Sequence, residues 1–363
     1  MIMGSDALDA TRNNFTLVRF VLASSVIYTH SFWRVRGEMG VDDLSWLLGV
    51  PISVYAVDGF FFLSGLLVYP SLLRLGHVSR FIVARLTRLW PALAVSVLGS
   101  VLVGLFVTSA APAAYWSGET LRFLIGNLSL VATSYHLTGV QCGAEPCVIN
   151  GSLWTLPWEA RCYLALAFLG AIGLAKPQIF ARLILPAALA GALLWDVPAV
   201  QDAVRRVAGD GAVYQLNMFD RLGFAFLLGI AAYIFRDRLK LSWLVLGLLF
   251  AANVLAHQIG YGVHVRALFI GYAVLCFGIL TARSGAISAT MPDYSYGMYI
   301  YAFPIMMLIY AIWPTGSYLG LAAANLLATL PVAAVSWHYV EKPALNWLRR
   351  TRAQPIPAPL LQP

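Results

Sequence analysis

The sequence predicts an all-α polytopic membrane protein with about ten transmembrane helices. Of the 363 residues, 60% are hydrophobic and only 11% are charged, whereas a soluble domain has about 25% charged residues. The mean hydropathy is +0.76, and the apolar segments are long enough to cross a bilayer, which takes about 20 residues. We expect three regions: an N-terminal segment of residues 1–14, an integral-membrane domain of residues 15–343, and a C-terminal tail of residues 344–363.

Ten apolar segments are predicted to span the bilayer. They cover residues 15–33, 52–73, 89–109, 157–175, 180–196, 221–235, 242–258, 265–282, 294–313 and 318–340. A further apolar segment, residues 121–131, is too short to span and begins and ends on the same side. It predicts a re-entrant or interfacial helix, whose backbone needs cover from protein or a water-filled cavity.

The basic residues gather in every second connection between the spans. They lie within residues 74–88, 176–182, 236–240, 283 and 342–352, and the other connections are acidic or neutral. By the positive-inside rule, both termini are predicted to be cytoplasmic. Because topology accounts for most of the net charge of +8, we expect no nucleic-acid partner. Two pairs break the pattern on the outer side: Arg34 with Arg36, and Arg205 with Arg206.

The sequence predicts no cleavable signal at the N-terminus and a disordered segment at the C-terminus. Residues 1–14 are polar and lack the apolar core of a cleavable signal. Residues 351–363 are rich in proline and polar residues, which predicts a short disordered cytoplasmic end.

Cys142 and Cys147 lie in a predicted outer loop, with four residues between them. In an oxidising compartment they can close a small disulfide ring, and two free thiols are the alternative. A zinc site would need further Cys or His ligands at suitable spacing, and only His136 is near, so no metal is expected. Cys162 and Cys276 lie inside spans and are predicted to pack as small apolar residues.

Arg19 and His30 both lie inside the first span, where a titratable side chain is energetically unfavourable and indicates a functional site. Eleven positions separate them, about three turns, so they share one helix face roughly 16 Å apart. This spacing suggests a charged ligand near Arg19 and proton chemistry near His30. The alternative is an arginine that extends to the membrane surface and a histidine bonded to a neighbouring helix.

The second span contains a carboxylate and a pair of small residues. Asp58 lies near its outer end, and we expect it to face a cavity rather than a helix interface. Ser64 and Gly65 permit close approach of another helix, and packing is the interpretation we favour for them.

Arg80, Arg85 and Arg88 precede the third span at its cytoplasmic end. Arg85 and Arg88 are three residues apart, hence neighbours on one helix face. Such a pair suits bidentate phosphate binding. The alternative is that these arginines only anchor the span, and composition does not separate the two interpretations.

Residues 150–159 are polar and aromatic and open the fourth span from the outer side. Pro157 is tolerated in a first helical turn, which places Glu159 in that turn. Ring-rich loops beside a carboxylate suit sugar recognition, because aromatic faces cover the apolar faces of pyranose rings. The alternative is an interfacial aromatic belt, with Glu159 stabilising the helix N-terminus.

Six motifs in order resemble the integral-membrane acyltransferases of family three, which O-acylate bacterial surface polysaccharides. The motifs are Arg19-X10-His30, Asp58-Gly-Phe-Phe-Phe-Leu-Ser-Gly65, residues 80–91, Gly151-Ser-Leu-Trp-Thr-Leu-Pro-Trp-Glu159 with Tyr163, Tyr294-Ser-Tyr-Gly-Met-Tyr299, and Val340-Glu-Lys-Pro343. The resemblance covers nearly the whole chain and is to the stand-alone form, without a fused esterase-like domain. Many members carry a histidine where this chain has Ala302, so any acid–base role of that position lapses.

The resemblance implies transfer of an acyl group, usually acetyl, from cytoplasmic acyl-CoA to a sugar hydroxyl of an exopolysaccharide, lipopolysaccharide or other lipid-linked glycan. It implies a multi-pass protein of the bacterial inner membrane, with acyl-CoA as a substrate and no permanently bound cofactor. His30 is then a general base or a transient acyl carrier, and Glu159 orients His30 or holds sugar hydroxyls. The other expected site residues are the donor-binding Arg19, Arg80, Arg85 and Arg88, and the acceptor-binding Asp58, Ser152, Trp154 and Trp158.

Two other function classes stay open at this point. A glycan or lipid-linked-sugar transporter would use Arg19, His30 and Asp58 as a proton or substrate path. Secondary transporters often show paired halves, and no such repeat is found in the sequence. A non-catalytic scaffold of a polysaccharide assembly complex is the third class, and the replacement of histidine at position 302 leaves room for it. The oligomeric state is not readable from the sequence.

The alternation of basic connections generates a topological prediction. A periplasm-active reporter fused after Arg352 should be inactive, because that end is predicted to be cytoplasmic. Reporter activity in intact cells measures this directly. Strong activity at that position would reverse the orientation of the whole bundle.

Overall fold

A computed structural model shows the chain as a bundle of helices. It describes residues 1–9, 11–142, 145–260, 262–284 and 287–353, and of these the side chains of residues 5, 145, 283, 284, 352 and 353 are left undescribed. Strands occur within the described part only as one short hairpin. The predicted fold class, an all-α polytopic membrane protein, is confirmed.

The longer helices follow one another along the chain with short connections. They are α1 (Phe15–Arg36), α2 (Ile52–Leu75), α3 (Val78–Val107), α4 (Gly118–Ser129), α5 (Leu156–Ala171), α6 (Pro177–Trp195), α7 (Pro198–Ile234), α8 (Trp243–Gln258), α9 (Gly262–Leu280), α10 (Ser295–Ile312), α11 (Tyr318–Ser336) and α12 (Lys342–Ala353).

Shorter elements join or interrupt these helices. Turns of π-helix are Phe180–Ile184, Phe219–Gly223, Cys276–Leu280 and Trp337–Glu341, the last joining α11 to α12. Turns of 3-10 helix are Ser5–Leu8, Gly151–Thr155, Thr281–Ser284 and Ile287–Ala289. Single α turns are Ser45–Leu48 and Pro112–Tyr115. Strands β1 (Gln141–Cys142) and β2 (Glu145–Pro146) pair antiparallel.

All ten predicted spans correspond to helices. Eight helices of the described chain are long and apolar enough to cross a membrane, and the last of these stretches runs through α11 and α12. The remaining two, α5 and α8, have 16 residues each. The predicted connection at residues 74–88 differs, because α3 begins at Val78 and carries the basic residues on its first turns. Residues 205–206 are likewise helical, on α7 ahead of a kink at Gly209.

The basic connections meet at one end of the bundle, which we call the basic end. The N-terminal segment pairs there with the α7–α8 connection, since the Met3 amide donates to the Leu239 carbonyl at 3.0 Å. The Tyr69 hydroxyl of α2 donates to the carbonyl of Ala175, between α5 and α6, at 2.8 Å. The other end, where α1 ends and α2 begins, is called the far end. The prediction assigns the basic end to the cytoplasm.

Glycines end α1 and α2, and an aspartate carboxylate fixes the start of α2. Helices α1 and α2 each end at a glycine in the left-handed conformation, Gly37 and Gly76, which is a frequent helix stop. Between them, the Asp42 carboxylate accepts the Ile52 amide at 2.9 Å and the Thr29 hydroxyl at 2.8 Å. Asp42 therefore holds the start of α2 against α1.

Helix α2 lies in the middle of the bundle and packs most closely against α7. A Cβ on Gly65 would overlap the carbonyl oxygen of Phe226, and one on Gly229 would overlap that of Phe62. The two backbones can approach this closely only because both positions lack a side chain. The predicted packing role of Gly65 is therefore confirmed. Helix α1 completes the centre by contacting α2, α10 and α11.

Helix α4 runs back along α3 and the chain then returns, a course that both predicted alternatives, a re-entrant and an interfacial helix, allow. It runs back along α3 until the Leu128 carbonyl accepts the Trp90 indole at 3.3 Å, near the middle of α3. The chain then returns, and the Thr138 hydroxyl pairs with that of Ser117 at 2.6 Å. The returning segment therefore ends beside the residue from which α4 starts. One face of the loop packs on the protein through the buried Phe123 and Asn127, and the opposite face, with Leu121 and Ile125, is exposed.

The C-terminal region is helical further than predicted. Helix α12 continues through Ala353, so the first three residues of the predicted disordered end are helical. Residues 354–363 lie outside the described residues.

Candidate functional site

Two cavities lie in the centre of the bundle, one above the other. The lower cavity is nearer the basic end and has a volume of about 850 Å³, and the upper cavity has one of about 1750 Å³, both including the space open at their mouths. Val57 and Tyr299 line both cavities, so the two share one wall. The chemically important lining residues of the lower cavity are Arg19, Ser64, Arg85, Arg88, Glu159, Tyr163 and Tyr296. Those of the upper cavity are His30, Trp33, Arg34, Tyr135, Trp154, Arg221 and Phe303.

An ion-pair network forms one wall of the lower cavity. Asp293, in the connection before α10, accepts from Arg19 at 2.9 Å and from Arg88 at 3.2 Å. Arg88 also donates to Glu341 at 2.6 Å. Glu341 is 2% exposed, so its pairing with Arg88 is needed to keep the charge in the protein interior. Predicted donor-binding residues are thus joined to two carboxylates.

Asp293 is held ionised by its neighbours. Burial raises the pKa of its carboxyl, but the charges of Arg19 and Arg88 outweigh burial and lower that pKa below its ordinary value. The Ser295 hydroxyl also donates to it at 2.5 Å. A lowered pKa in the folded state means that these contacts stabilise the fold fully at neutral pH. Their contribution is lost as the pH falls through the range in which the carboxylate takes up a proton.

Arg85 and Arg80 differ in their position relative to the lower cavity. Arg85 lines it and donates to the Ser71 hydroxyl at 3.4 Å. Arg80 is exposed on the first turn of α3 and is not among the described residues that line the cavity. A role of Arg80 in donor binding stays a prediction, at the mouth of the basic end rather than in the cavity.

Glu159 lies on the lower cavity in the first turn of α5. The Tyr163 hydroxyl, one turn further on, donates a short hydrogen bond to it, and the Ser64 hydroxyl donates at 3.5 Å. Ser64 and Tyr163 are themselves joined at 3.0 Å. Since its described partners are these hydroxyls, Glu159 does not orient His30 in this structure, contrary to one of the two roles expected for it.

His30 lies on the upper cavity, in the far half of α1. Its ring packs against Phe303, with centroids 5.0 Å apart, and against Trp33 at 5.2 Å. It is 8% exposed, and that exposure is to the cavity. Arg19 and His30 thus share one helix face, as predicted, but each lines a different cavity.

Asp58 is placed behind the upper cavity rather than in it. It is completely buried, and its two oxygens accept from Arg221 and Arg266, each at 2.8 Å. The direct contact with the acceptor that we expected of Asp58 is therefore not available. Arg221 lines the cavity instead, with its guanidinium 6.0 Å from the centre of the Trp154 ring.

Of the other three expected acceptor-binding residues, one lines the upper cavity and two are buried in the protein. Trp154 lines the upper cavity. Trp158 is buried under Arg161, whose guanidinium lies 4.3 Å from the ring centre, and Ser152 is buried with no hydrogen-bond partner for its hydroxyl among the described residues. Neither is among the described residues that line a cavity, so only Trp154 is positioned to contact a ligand.

The wall between the cavities is fixed by a buried polar cluster. The Asn150 amide donates to the Ile300 carbonyl at 2.9 Å and to the Ser100 hydroxyl at 3.2 Å. Five residues later, Thr155 and Tyr299 share a hydrogen bond of 2.9 Å. These bonds hold the start of α5 against α3 and α10 at the level where the cavities meet.

Cys142 and Cys147 form a disulfide, the first of the two alternatives, across the β1–β2 hairpin. Both line the upper cavity. The disulfide therefore fixes part of the cavity wall. Cys162 and Cys276 are buried free thiols, in agreement with the packing role predicted for them.

One cluster in the described chain has the composition of a metal site. Asp196, Asp220 and His264 can place one ligand atom each within 4.8 Å of one another. The two histidine nitrogens each contact one carboxylate, at 3.2 and 3.1 Å. These ion pairs account for the cluster, and its residues are not among those that line either cavity.

Sequence reasoning missed Asp293, Arg221 and Arg266. Arg221 and Arg266 each lie at the start of a predicted apolar span, so the rule that singled out Arg19 applies to both. Asp293 precedes the Tyr294–Tyr299 motif, but no local pattern links it to arginines more than 200 residues away. Glu341 lies in the last of the six motifs, but the sequence assigns it no role.

Comparisons with known proteins agree on the class of chain. A family model described as an acyltransferase domain matches residues 12–338. The chain is 26% identical to an O-acetyl transferase of Shigella phage Sf6 over 341 residues, covering 91% of this chain and 95% of the relative. It is 26% identical to nodulation protein 10 of Rhizobium leguminosarum bv. viciae over 359 residues, covering 92% and 94%. No solved structure matches.

The ion-pair network generates a stability prediction. Asp293→Asn should lower the free energy of unfolding by about 3 kcal/mol, because Arg19 and Arg88 lose a buried counter-charge. Thermal unfolding in detergent would show this as a lower melting temperature. Asp202→Asn is the matched control, since its ion pair with Arg205 is exposed and worth less than about 1 kcal/mol. Equal shifts in the two variants would contradict the assignment.

Proposed function

The chain belongs to acyltransferase family three, and on that premise we propose that it moves an acetyl group from acyl-CoA in the lower cavity to a glycan hydroxyl in the upper cavity. The enzyme class, an O-acyltransferase, follows from the family. The donor, the acceptor and the placement of each in a cavity are the proposed parts. The single observation that carries the proposal is the pair of stacked cavities with a shared wall at Val57 and Tyr299.

The lower cavity suits the donor because of its charge. Coenzyme A carries several phosphate groups, and guanidinium groups bind phosphate through paired, charge-assisted hydrogen bonds. Arg19, Arg85 and Arg88 supply three guanidiniums at or near the basic end. The thioester arm would then extend past Ser64 and Glu159 toward the shared wall.

The upper cavity suits a sugar acceptor. Trp33, Tyr135 and Trp154 present aromatic rings, and His30 supplies a titratable nitrogen. The relative from Shigella phage Sf6 is named an O-acetyl transferase, which agrees with a hydroxyl acceptor. The cavity is also about twice the volume of the lower one, when the open space at both mouths is included.

In the proposed reaction, His30 takes the proton from the sugar hydroxyl as the oxygen bonds to the thioester carbonyl carbon. The carbon–sulphur bond breaks, and the proton passes from the imidazolium to the coenzyme A sulphur. The products are an O-acetyl ester and free coenzyme A, and the histidine returns to its neutral form. The acyl carbon must reach the level of Val57 and Tyr299, because His30 lines only the upper cavity.

The competing route is an acyl-histidine intermediate. It differs in one observable, since it releases coenzyme A before the acceptor binds. A pre-steady-state burst of free coenzyme A without acceptor therefore supports the intermediate. Release that requires acceptor supports general-base chemistry, and uptake of glycan into vesicles without any release would instead indicate transport.

The donor assignment predicts that Arg85→Gln weakens acetyl-CoA binding about tenfold or more. The loss of one charge-assisted contact to a phosphate is worth about 1.5–3 kcal/mol. Calorimetry on purified protein measures the affinity. Arg74→Gln, an exposed arginine of the same end, is the control and should bind normally. Unchanged affinity in Arg85→Gln would leave Arg85 as a topological anchor only.

The catalytic assignment predicts that His30→Gln lowers acyl transfer about 100-fold or more, the usual contribution of a general base. Glutamine keeps hydrogen-bonding capacity but takes up no proton at neutral pH. Mass spectrometry of surface polysaccharide from a complemented deletion strain measures the product. Acetyl-CoA binding should be retained, because His30 does not line the lower cavity.

The control for this variant is His77→Gln. His77 is exposed just before α3, and its side chain makes no capping bond there. Glycan acylation should stay at the wild-type level in this control. Wild-type acylation in His30→Gln would reduce His30 to a packing residue.

A further inference from the structure

Positive charge prevails among the described residues that line the upper cavity. None of its described lining residues is an aspartate or a glutamate, while Arg34 and Arg221 both line it. The nearest carboxylate to Arg221 is Asp58, but that one carboxylate serves two guanidiniums, since Arg266 takes its other oxygen. The group of three therefore carries a net charge of about +1 under the cavity.

Of the residues that line the upper cavity, Arg34 is unusual because part of its guanidinium has no hydrogen-bond partner among the described residues. Its Nε atom is buried and has no hydrogen-bond partner within the described part of the chain. Its guanidinium packs 4.3 Å from the centre of the Tyr310 ring, a contact that orients the plane but satisfies none of the donors in that plane. The guanidinium is therefore held by the ring and by no described carboxylate, and its positive charge lines the cavity without a partner from the described residues.

Arg34 also breaks the distribution of charge in the sequence. It lies at the far end of α1, on the side that the basic connections predict to be outside, where arginine is disfavoured. Its neighbour Arg36 is exposed and contacts the Tyr318 ring at 5.5 Å, away from the cavity. The positive-inside rule thus does not account for the pair, and of the two arginines Arg34 is the one that lines the cavity.

The position of Arg34 relative to His30 sets where an anion would bind. The two residues are four apart on α1, so their side chains lie one turn apart on the same face. An anion bound at Arg34 would thus lie about 6 Å along the helix from the imidazole that handles the hydroxyl proton. Arg221 approaches from α7, and its Nε and one terminal nitrogen are already bonded, to Asp58 and to the Val54 carbonyl at 3.1 Å. Its other terminal nitrogen can donate to a ligand.

We propose that the acceptor is an anionic glycan, whose carboxylate or phosphate group is bound by Arg34 with support from Arg221. This inference rests on the proposed function, because it takes the upper cavity as the acceptor site. The guanidinium fork is matched to both kinds of oxyanion. Since Arg34 is one turn from His30, the anion and the acylated hydroxyl belong to the same sugar unit or to adjacent units.

The test measures binding of simple glycosides to the purified protein in nanodiscs of phosphatidylcholine, without acyl-CoA. The probes are octyl glucuronide, octyl glucoside 6-phosphate and the neutral octyl glucoside, with affinity followed by calorimetry. We expect at least one charged probe to bind about tenfold or more tightly than the neutral one, and to weaken with added salt. The preferred charged probe identifies the oxyanion as carboxylate or phosphate.

Variants then assign the effect to Arg34. Arg34→Gln should bring the affinity for the charged probe down to that for the neutral probe and leave the neutral probe unchanged. Arg36→Gln, two residues away on the exposed surface, should leave both affinities unchanged. If Arg34→Gln does not fold, the comparison of charged with neutral probes and the salt dependence of the wild type still decide.

Several results would overturn the inference. They are equal affinities of the wild type for charged and neutral probes, no binding of any charged probe, an equal loss for both kinds of probe in Arg34→Gln, or the same loss in Arg36→Gln. Because acyl-CoA is absent, these results do not depend on catalysis. A normal release of coenzyme A with a neutral acceptor would leave the proposed acyl transfer intact while this inference fails.

Discussion

The lower half of the bundle depends on the carboxylate of Asp293. It accepts from Arg19 of α1 and from Arg88 of α3, and Arg88 continues to Glu341 in the turn between α11 and α12. Four segments that are distant in sequence therefore meet through charges with little access to water. Removing one member leaves another buried without its counter-charge, which is more unfavourable than removing the whole network. The wall of the lower cavity and its electrostatic potential come from the same bonds.

The two cavities handle positive charge differently, and this difference follows from where carboxylates were placed. In the lower cavity, Asp293 and Glu341 already neutralise much of the charge of Arg19 and Arg88, so a polyanion competes with them for the same donors. If the donor binds there as proposed, this competition would limit how tightly it is held. Less stabilisation of the bound ground state leaves more of the binding energy for the transition state. In the upper cavity, Arg34 has no such competitor among the described residues.

Hydropathy alone predicts most of the fold, because each span is a long apolar segment bordered by polar residues, and both features can be read from the sequence. The predicted start of the third span is too late, because residues 78–88 form about three further turns of the helix, and the arginines in them lower the mean hydropathy below that of a span. The site was only partly predictable. Arg19 and His30 stand out within one helix, but Asp58 meets Arg221 and Arg266 across 163 and 208 residues. The sequence around Asp58 does not indicate these distant partners. Asp58 was therefore predicted to contact a ligand, whereas both of its oxygens are bonded to arginines of the protein.

The alanine at position 302 can be understood from the packing of α1. Ala302 is buried in a small apolar cluster with Ala23, Ile27 and Ala333, where α1, α10 and α11 converge. Ile27 lies one turn before His30 on α1, so the methyl-sized side chain lets α1 approach α10 at the level that sets the position of the imidazole. A second imidazole at 302 would occupy the volume that α1 fills here. His30 is therefore the one histidine among the described residues that line the upper cavity, and the proposed transfer of the hydroxyl proton rests on it alone.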